Sequence, residues 1–168
     1  MTIKYLTKEK VNEAMNKALA SSEKDFLIIS ILAQTGIRVS ELLTITKNDL
    51  LIDQAQIIIR GKGNKIRNVD VSPNVALMLE VYARQNKFKP DERLFKITRQ
   101  RVYQITKEIA GVNPHIFRHS YAIHLLRKTK NIRYVQVQLG HSTIISTQVY
   151  LRYMDFEEEK KKLDSLYN

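Results

Sequence analysis

The side chains best suited to chemistry lie in the last third of the chain. They are His115-Ile116-Phe117-Arg118, then Leu139-Gly140-His141, then Tyr150. A phenol with a pKa of about 10 is a poor nucleophile at neutral pH, so a tyrosine that attacks a phosphodiester needs cationic and hydrogen-bonding groups around the same phosphate. A guanidinium offers paired, charge-assisted hydrogen bonds to phosphate oxygens, and an imidazole holds or moves protons. His115 stands one helical turn before Arg118, which puts both on one helix face. His141 follows a glycine suited to ending a helix, where its ring is free to project from the turn.

Two upstream stretches extend the pattern, Thr35-Gly36-Ile37-Arg38-Val39-Ser40-Glu41-Leu42-Leu43 and Gly61-Lys62-Gly63-Asn64-Lys65. With them the series resembles the tyrosine recombinase, or phage integrase, family, and its Xer-like branch most. That family carries T-G-[LI]-R-x-S-E-L, G-K-G-N-K, H-x-L-R-H, L-G-H-S and T-x-x-Y. Those motifs fall here on Arg38, Lys62, His115 with Arg118, His141, and Tyr150. Each motif alone is weak; all of them in family order are specific. The likeness runs from Leu27 to Tyr150, with Phe117 where leucine is usual and Ile37 where leucine is commonest. Relatives usually carry an amino-terminal helical domain that clamps DNA, whereas this chain begins almost at the catalytic part. The expectation is a single catalytic domain over 1–168, with 155–168 a tail helix and no amino-terminal clamping domain.

The resemblance implies a site-specific recombinase or integrase acting on double-stranded DNA, requiring neither metal, ATP nor other cofactor, and assembling as a homotetramer on its site. Arg38 and Arg118 would grip the nonbridging oxygens of the scissile phosphate. His115 would assist proton transfer or bond a phosphate oxygen, and His141 would stabilise the transition state. Lys62, on a two-glycine hairpin, would protonate the leaving 5′ oxygen, and Tyr150 would attack to leave a 3′-phosphotyrosine. The tail residues Phe156, Leu163, Leu166 and Tyr167 would dock on a neighbouring protomer, or alternatively form a frayed terminal helix folded on the domain's own core. Two rival readings remain at this point: a type IB topoisomerase, and a DNA-binding regulator that keeps the fold without cutting. The second is expected to lack a catalytic group, and none is missing.

Plainer readings compete at single positions. Arg38 and Glu41 have the spacing of a helix ion pair. His119 and His124 fit packing or surface roles, with His119 also placed to support its neighbour Arg118. Lys65 competes with Lys62 and is assigned to the DNA backbone, together with Arg99 and Arg101; Lys107 and Arg127 are further candidates or solvated surface. Tyr153 competes with Tyr150, and the spacing from His141 favours Tyr150.

The whole-chain balance agrees with a polyanion partner. The 168 residues carry 28 basic and 17 acidic side chains, a net +11, and 43% are hydrophobic, enough for one core. The longest apolar stretch, Phe26 to Ala33, is far short of a membrane span. No cysteine is present, which excludes disulfides and cysteine-ligated metal. No signal peptide is evident at the start, and the expected location is cytoplasmic, on the nucleoid.

The elements that must position these groups read as mostly α with a small antiparallel sheet, an α+β class. Thr7 caps a first helix with Val11, Met15 and Leu19 as its apolar stripe. A buried helix through Phe26 to Ala33 stops at Gly36, which places Arg38 at a bend, and Ser40 caps a short helix after it. Ala55 to Arg60 and Ile66 to Val71 form a hairpin with Lys62 at its tip. Ser72-Pro73 opens a helix buried at Val75, Met78, Leu79 and Tyr82, and Lys87 to Arg93 is a polar connector. Thr98 to Ala110 follows, closed by Gly111. Pro114 opens the helix His115 to Lys128, Asn131 caps Ile132 to Leu139, and Ser142 begins the turn-and-helix segment leading to Tyr150.

Overall fold

The computed structural model describes residues 3–61, 63 and 65–154. The expected tail helix at 155–168 and the candidate Lys62 lie outside the described residues. Helix α1 (Lys8–Ser21) starts where Thr7 Oγ1 accepts from the Lys10 amide. Its buried face is Ala14 and Ala18, with Val11 and Met15 partly covered, while Leu19 is 54% exposed. The expected stripe is therefore displaced around the helix, because two alanines four residues apart let α1 lie close against α2.

Helix α2 (Glu23–Thr35) is the centre of the molecule. Leu27, Ile28, Ile29, Ile31 and Leu32 are at most 1% exposed, so the helix is apolar on nearly every side, the pattern of an element enclosed by others. Each such side chain contributes about 2 kcal/mol of burial. Around α2 pack α1, α4 (Pro73–Gln85), α5 (Arg99–Ala110) and α6 (Pro114–Thr129). α2 ends at Gly36 in the left-handed region, φ 61°, and there a Cβ would sit 2.5 Å from Tyr121 Cδ1.

The short helix α3 (Val39–Leu42) begins at Arg38 rather than after Ser40. The cap comes from the opposite direction to the one expected: the Glu41 carboxylate accepts from the Arg38 amide at 2.8 Å. Ser40 caps nothing there, since its backbone is already inside the helix.

The sheet has three antiparallel strands in the order β1 (Leu50–Leu51), β2 (Gln56–Arg60), β3 (Ile66–Asp70). Ile57 pairs with Val69 and Ile59 with Arg67. Strand period two then puts Arg67, Val69 and Val71 on the core face and turns Ile66, 66% exposed, outward. The buried valines fix this phase. The inward Arg67 is paired by Glu41, at 3.0 and 3.1 Å to its two carboxylate oxygens, and its Nε donates to the Gln138 carbonyl at 3.0 Å. This joint fastens the hairpin to α3 and to α7 (Ile132–Leu139).

Ser72 caps α4 and Gly111 ends α5 as expected, while Thr98, read as the first residue of its helix, is the cap of α5. α6 gains a cap not anticipated, Asn113 Oδ1 accepting from Ile116 N. Asn131 caps α7, which ends at Gly140 (φ 65°). A bend at Ser142 leads, as expected, into α8 (Ile145–Gln148), the last helix among the described residues, and a 3-10 turn over Leu151–Tyr153 follows Tyr150. A second apolar cluster of Ala122, Ile123, Leu126, Val135, Leu139 and Tyr150 joins α6, α7 and that segment. The amino-terminal strap, residues 3–6, lies over it: the Leu6 amide donates to Ser120 Oγ, His124 Nε2 meets the Leu6 carbonyl, and the Tyr5 and Tyr153 rings meet edge to face. Among the described residues no helix is long and apolar enough to cross a membrane.

Two substitutions test this framework. Gly36→Ala is expected to lower unfolding free energy by at least about 1 kcal/mol in urea titration, from the left-handed backbone alone and before the Tyr121 clash. Glu41→Ala, which leaves Arg67 covered and without its carboxylate, is expected to cost about 3 kcal/mol.

Candidate active site

Arg118 is 3% exposed, in the second turn of α6, and its position is set by two helix ends. One Nη donates to the Gly36 carbonyl at 2.7 Å, just past α2, and the other to the Leu139 carbonyl at 3.0 Å, the last residue of α7. Carbonyls at a helix C-terminus lack helical donors and carry the negative end of the dipole, so they suit a buried cation. Burial, and then the Arg38 charge, bring the Arg118 guanidinium down to about 10, still charged at neutral pH. The remaining N–H groups are left for a ligand.

Arg38 is exposed and lies 3.5 Å from Glu41, the ion pair that its spacing foretold. Glu41 is nevertheless shared: burial pushes its carboxyl up, but the Arg67 bonds and the Arg38 amide outweigh this and hold it below the ordinary carboxylate range. Arg38 forms a common wall of two clefts. The smaller, about 190 Å³, is lined also by Arg99, Tyr103, His115 and Arg118. The larger, about 850 Å³, sets Arg38, Arg60, Lys65, Arg67 and Arg133 around one carboxylate, Glu41, with His141 at its edge. Arg101 lines neither; it lies 3.5 Å from Glu108 on its own helix. Arg127 turns away to the Tyr153 carbonyl and the Tyr5 ring.

His141 Nδ1 lies 2.9 Å from Thr147 Oγ1, the threonine of T-x-x-Y, which is fully buried. Burial, then the charges of Arg118, Arg38 and Arg67, hold this ring down to about 4, so it is neutral at physiological pH. His115 is lowered as well, by burial and then by Arg118 and Arg38. Four of the motif residues, Arg38, His115, Arg118 and His141, thus share one electrostatic environment.

Tyr150 is 2% exposed, and its hydroxyl lies 2.8 Å from His119 Nδ1. Burial pushes the phenol above its ordinary value, while the nearby Arg118 charge pulls it back in part. The His119 ring meets Tyr150 at 5.7 Å and His115 at 4.2 Å, both edge to face. Burial, then His115 and Arg118, bring His119 down to about 4. Tyr153 has another use: its hydroxyl contacts both the amide and carbonyl of Ile3. Sequence reasoning left His119 a packing or supporting role and did not single out Arg67 or Thr147. Two signals for His119 were available, its place as the closing histidine of H-x-L-R-H and its position four residues after His115, on the same helix face. Among the described residues no cluster of His, Asp or Glu has the form of a metal site.

The neutral histidines make stability pH-dependent. The unfolded chain protonates His119 and His141 near their ordinary 6.5, the folded one only near about 4, so the unfolded state binds more protons in between. This contribution is complete above 6.5 and lost as pH falls toward 4. The melting temperature is expected to drop over that window, and to drop less in His141→Asn.

The phage integrase family matches residues 4–156. A tyrosine recombinase of Pseudothermotoga lettingae is 37% identical over 149 residues, which cover 82% of this chain and 52% of that protein. The crystal structure of XerA recombinase superposes with a TM-score of 0.79 at 25% identity, over 100% of this chain and 64% of that one. The fold also matches, with a TM-score of 0.82 at 22% identity, XerH site-specific recombinase bound to its difH substrate in a pre-cleavage complex, over 99% of this chain and 55% of that one. The chain spans between half and two thirds of the length of these proteins. With the family model matching nearly end to end and a relative 37% identical over most of this chain, the chain belongs to the phage integrase family, the tyrosine recombinases.

Proposed function

We propose that the chain is the catalytic part of a site-specific DNA recombinase or integrase, which cleaves and rejoins strands through a 3′-phosphotyrosine. The observation that carries this is the Arg118 guanidinium, fixed by the Gly36 and Leu139 carbonyls beside Arg38 and close enough to Tyr150 to shift its phenol. A phosphate placed between Arg38 and Arg118 gains charge-assisted hydrogen bonds that strengthen as the pentacoordinate state gathers negative charge. Neutral His141 and His115 add hydrogen bonds without adding to the repulsion between the guanidiniums. Tyr150 Oη attacks phosphorus, and the 5′ oxygen leaves with a proton from Lys62, the role the family motif gives that residue. The phosphodiester bond energy stays in the linkage to tyrosine, so a second 5′ hydroxyl reverses the step without ATP.

Support for DNA as partner comes from the surplus of basic groups around the larger cleft and from the net charge of +11. Lys65 and Arg99, which line the two clefts, are assigned to backbone phosphates flanking the scissile one. Arg101 keeps that assignment only if its contact with Glu108 opens on DNA.

The test is covalent capture from a library of nicked duplexes with randomised sequence, in which loss of a short fragment traps the protein on DNA. The wild-type chain is expected to form an adduct that resists denaturation. Tyr150→Phe is expected to form none, and Arg118→Lys to slow capture on the selected duplex by about 10²–10³-fold. No adduct from the wild type, or an undiminished one from Tyr150→Phe, overturns the reading.

A further inference from the structure

We propose that His119 is a catalytic residue: its Nδ1 is the base that takes the Tyr150 proton as the phenol attacks. The inference rests on the transesterification reading above: the family pattern leaves His115 either to assist proton transfer or to bond a phosphate oxygen, and here the proton goes to His119, with His115 left to the phosphate. Three observations carry it. His119 Nδ1 lies 2.8 Å from Tyr150 Oη, within direct proton-transfer reach of the reacting atom. Its ring also meets that of His115, which lines the cleft beside Arg118, so the imidazole sits between the nucleophile and the phosphate groups. The motif histidine His141 is occupied elsewhere, its Nδ1 on Thr147.

The step balances within the site. The Oη–H bond breaks and its proton passes to Nδ1; the Oη electron pair forms the bond to phosphorus; the bond from phosphorus to the 5′ oxygen breaks, and that oxygen takes a proton from Lys62. In rejoining, His119 returns its proton to the phenolate as it leaves. The titratable and charged groups facing His119 are His115 and Arg118 on its own helix, with Tyr150 from the segment after α8; burial, the His115 ring and the Arg118 charge keep the imidazole unprotonated and able to accept. A phosphodiester bound to Arg38 and Arg118 adds negative charge where only cations stood, which raises the basicity of His119 when substrate is present.

Single-turnover cleavage of the duplex selected above separates the possibilities, with wild type, Tyr150→Phe, His119→Ala and His119→Asn compared. The Asn amide reaches the Nδ1 position and keeps a hydrogen bond to the phenol but takes no proton. Both His119 variants are expected to bind the duplex as wild type does and to cleave about 10²–10³-fold more slowly. Their rates are expected to rise with pH across about 6–8, as solvent becomes the proton acceptor, where the wild-type rate is level. Restoration of the wild-type rate by Asn overturns the base assignment in favour of positioning alone, and cleavage by His119→Ala within about threefold of wild type overturns any role. Should His119→Ala fail to fold, Asn decides. An adduct missing from the wild type itself fails the broader reading and this one with it; an adduct present with His119 variants unaffected fails this one only.

Discussion

The site depends on one buried cation. Arg118 is held by carbonyls that two different helices leave without helical donors, and a guanidinium can satisfy both because its two Nη groups diverge in a fixed plane. The arrangement solves two problems together. Helix ends that meet in the interior need donors, and a charge removed from water needs acceptors. A lysine, with a single ammonium, bridges such a pair poorly. Gly36 and Gly140 sit beside these carbonyls, and their left-handed backbone turns the chain away so that the oxygens stay open to the arginine.

A second guanidinium repeats the logic one residue earlier. Arg67, on the core face of β3, reaches the Gln138 carbonyl while pairing with Glu41, and a Cβ on Gly140 would lie 2.7 Å from its Nη1. The end of α7 is therefore sandwiched by two arginines from opposite sides of the fold. Glu41 neutralises Arg67 and caps the backbone at Arg38, so the same carboxylate that admits one cation to the interior also fixes where the exposed one begins. The field at the clefts stays positive because this carboxylate is already engaged.

Much of the helical framework was legible because its signals are local. Thr7, Ser72, Thr98 and Asn131 cap the helices they precede, and Gly36, Gly111 and Gly140 end the ones they follow. Spacing put His115 and Arg118 on one helix face, while the meeting of Arg38 and His141 with them was implied by the family resemblance alone. Contacts between distant stretches were not legible. Glu41 meets Arg67 across 26 residues and His119 meets Tyr150 across 31, and neither pairing leaves a periodic trace. The phase of β3 was not legible, because Ile66, Val69 and Val71 do not all share one face; the pairing with β2, which buries Val69 opposite Ile57, settles it. Strand β1 has two residues, too few for any alternation to be visible.

The strap over α6 has a consequence for how the molecule opens. Chain ends ordinarily fray first and independently. Here the main chain of Ile3 and the side chain of Tyr153 satisfy each other, and Tyr5 wedges between Tyr153 and His124. Residues 3–5 and the turn just past Tyr150 thus hold each other in place, so their opening is coupled. Releasing residues 3–5 therefore also frees the Tyr153 ring and hydroxyl, so the turn that follows Tyr150 loses an anchor at the same moment as the strap.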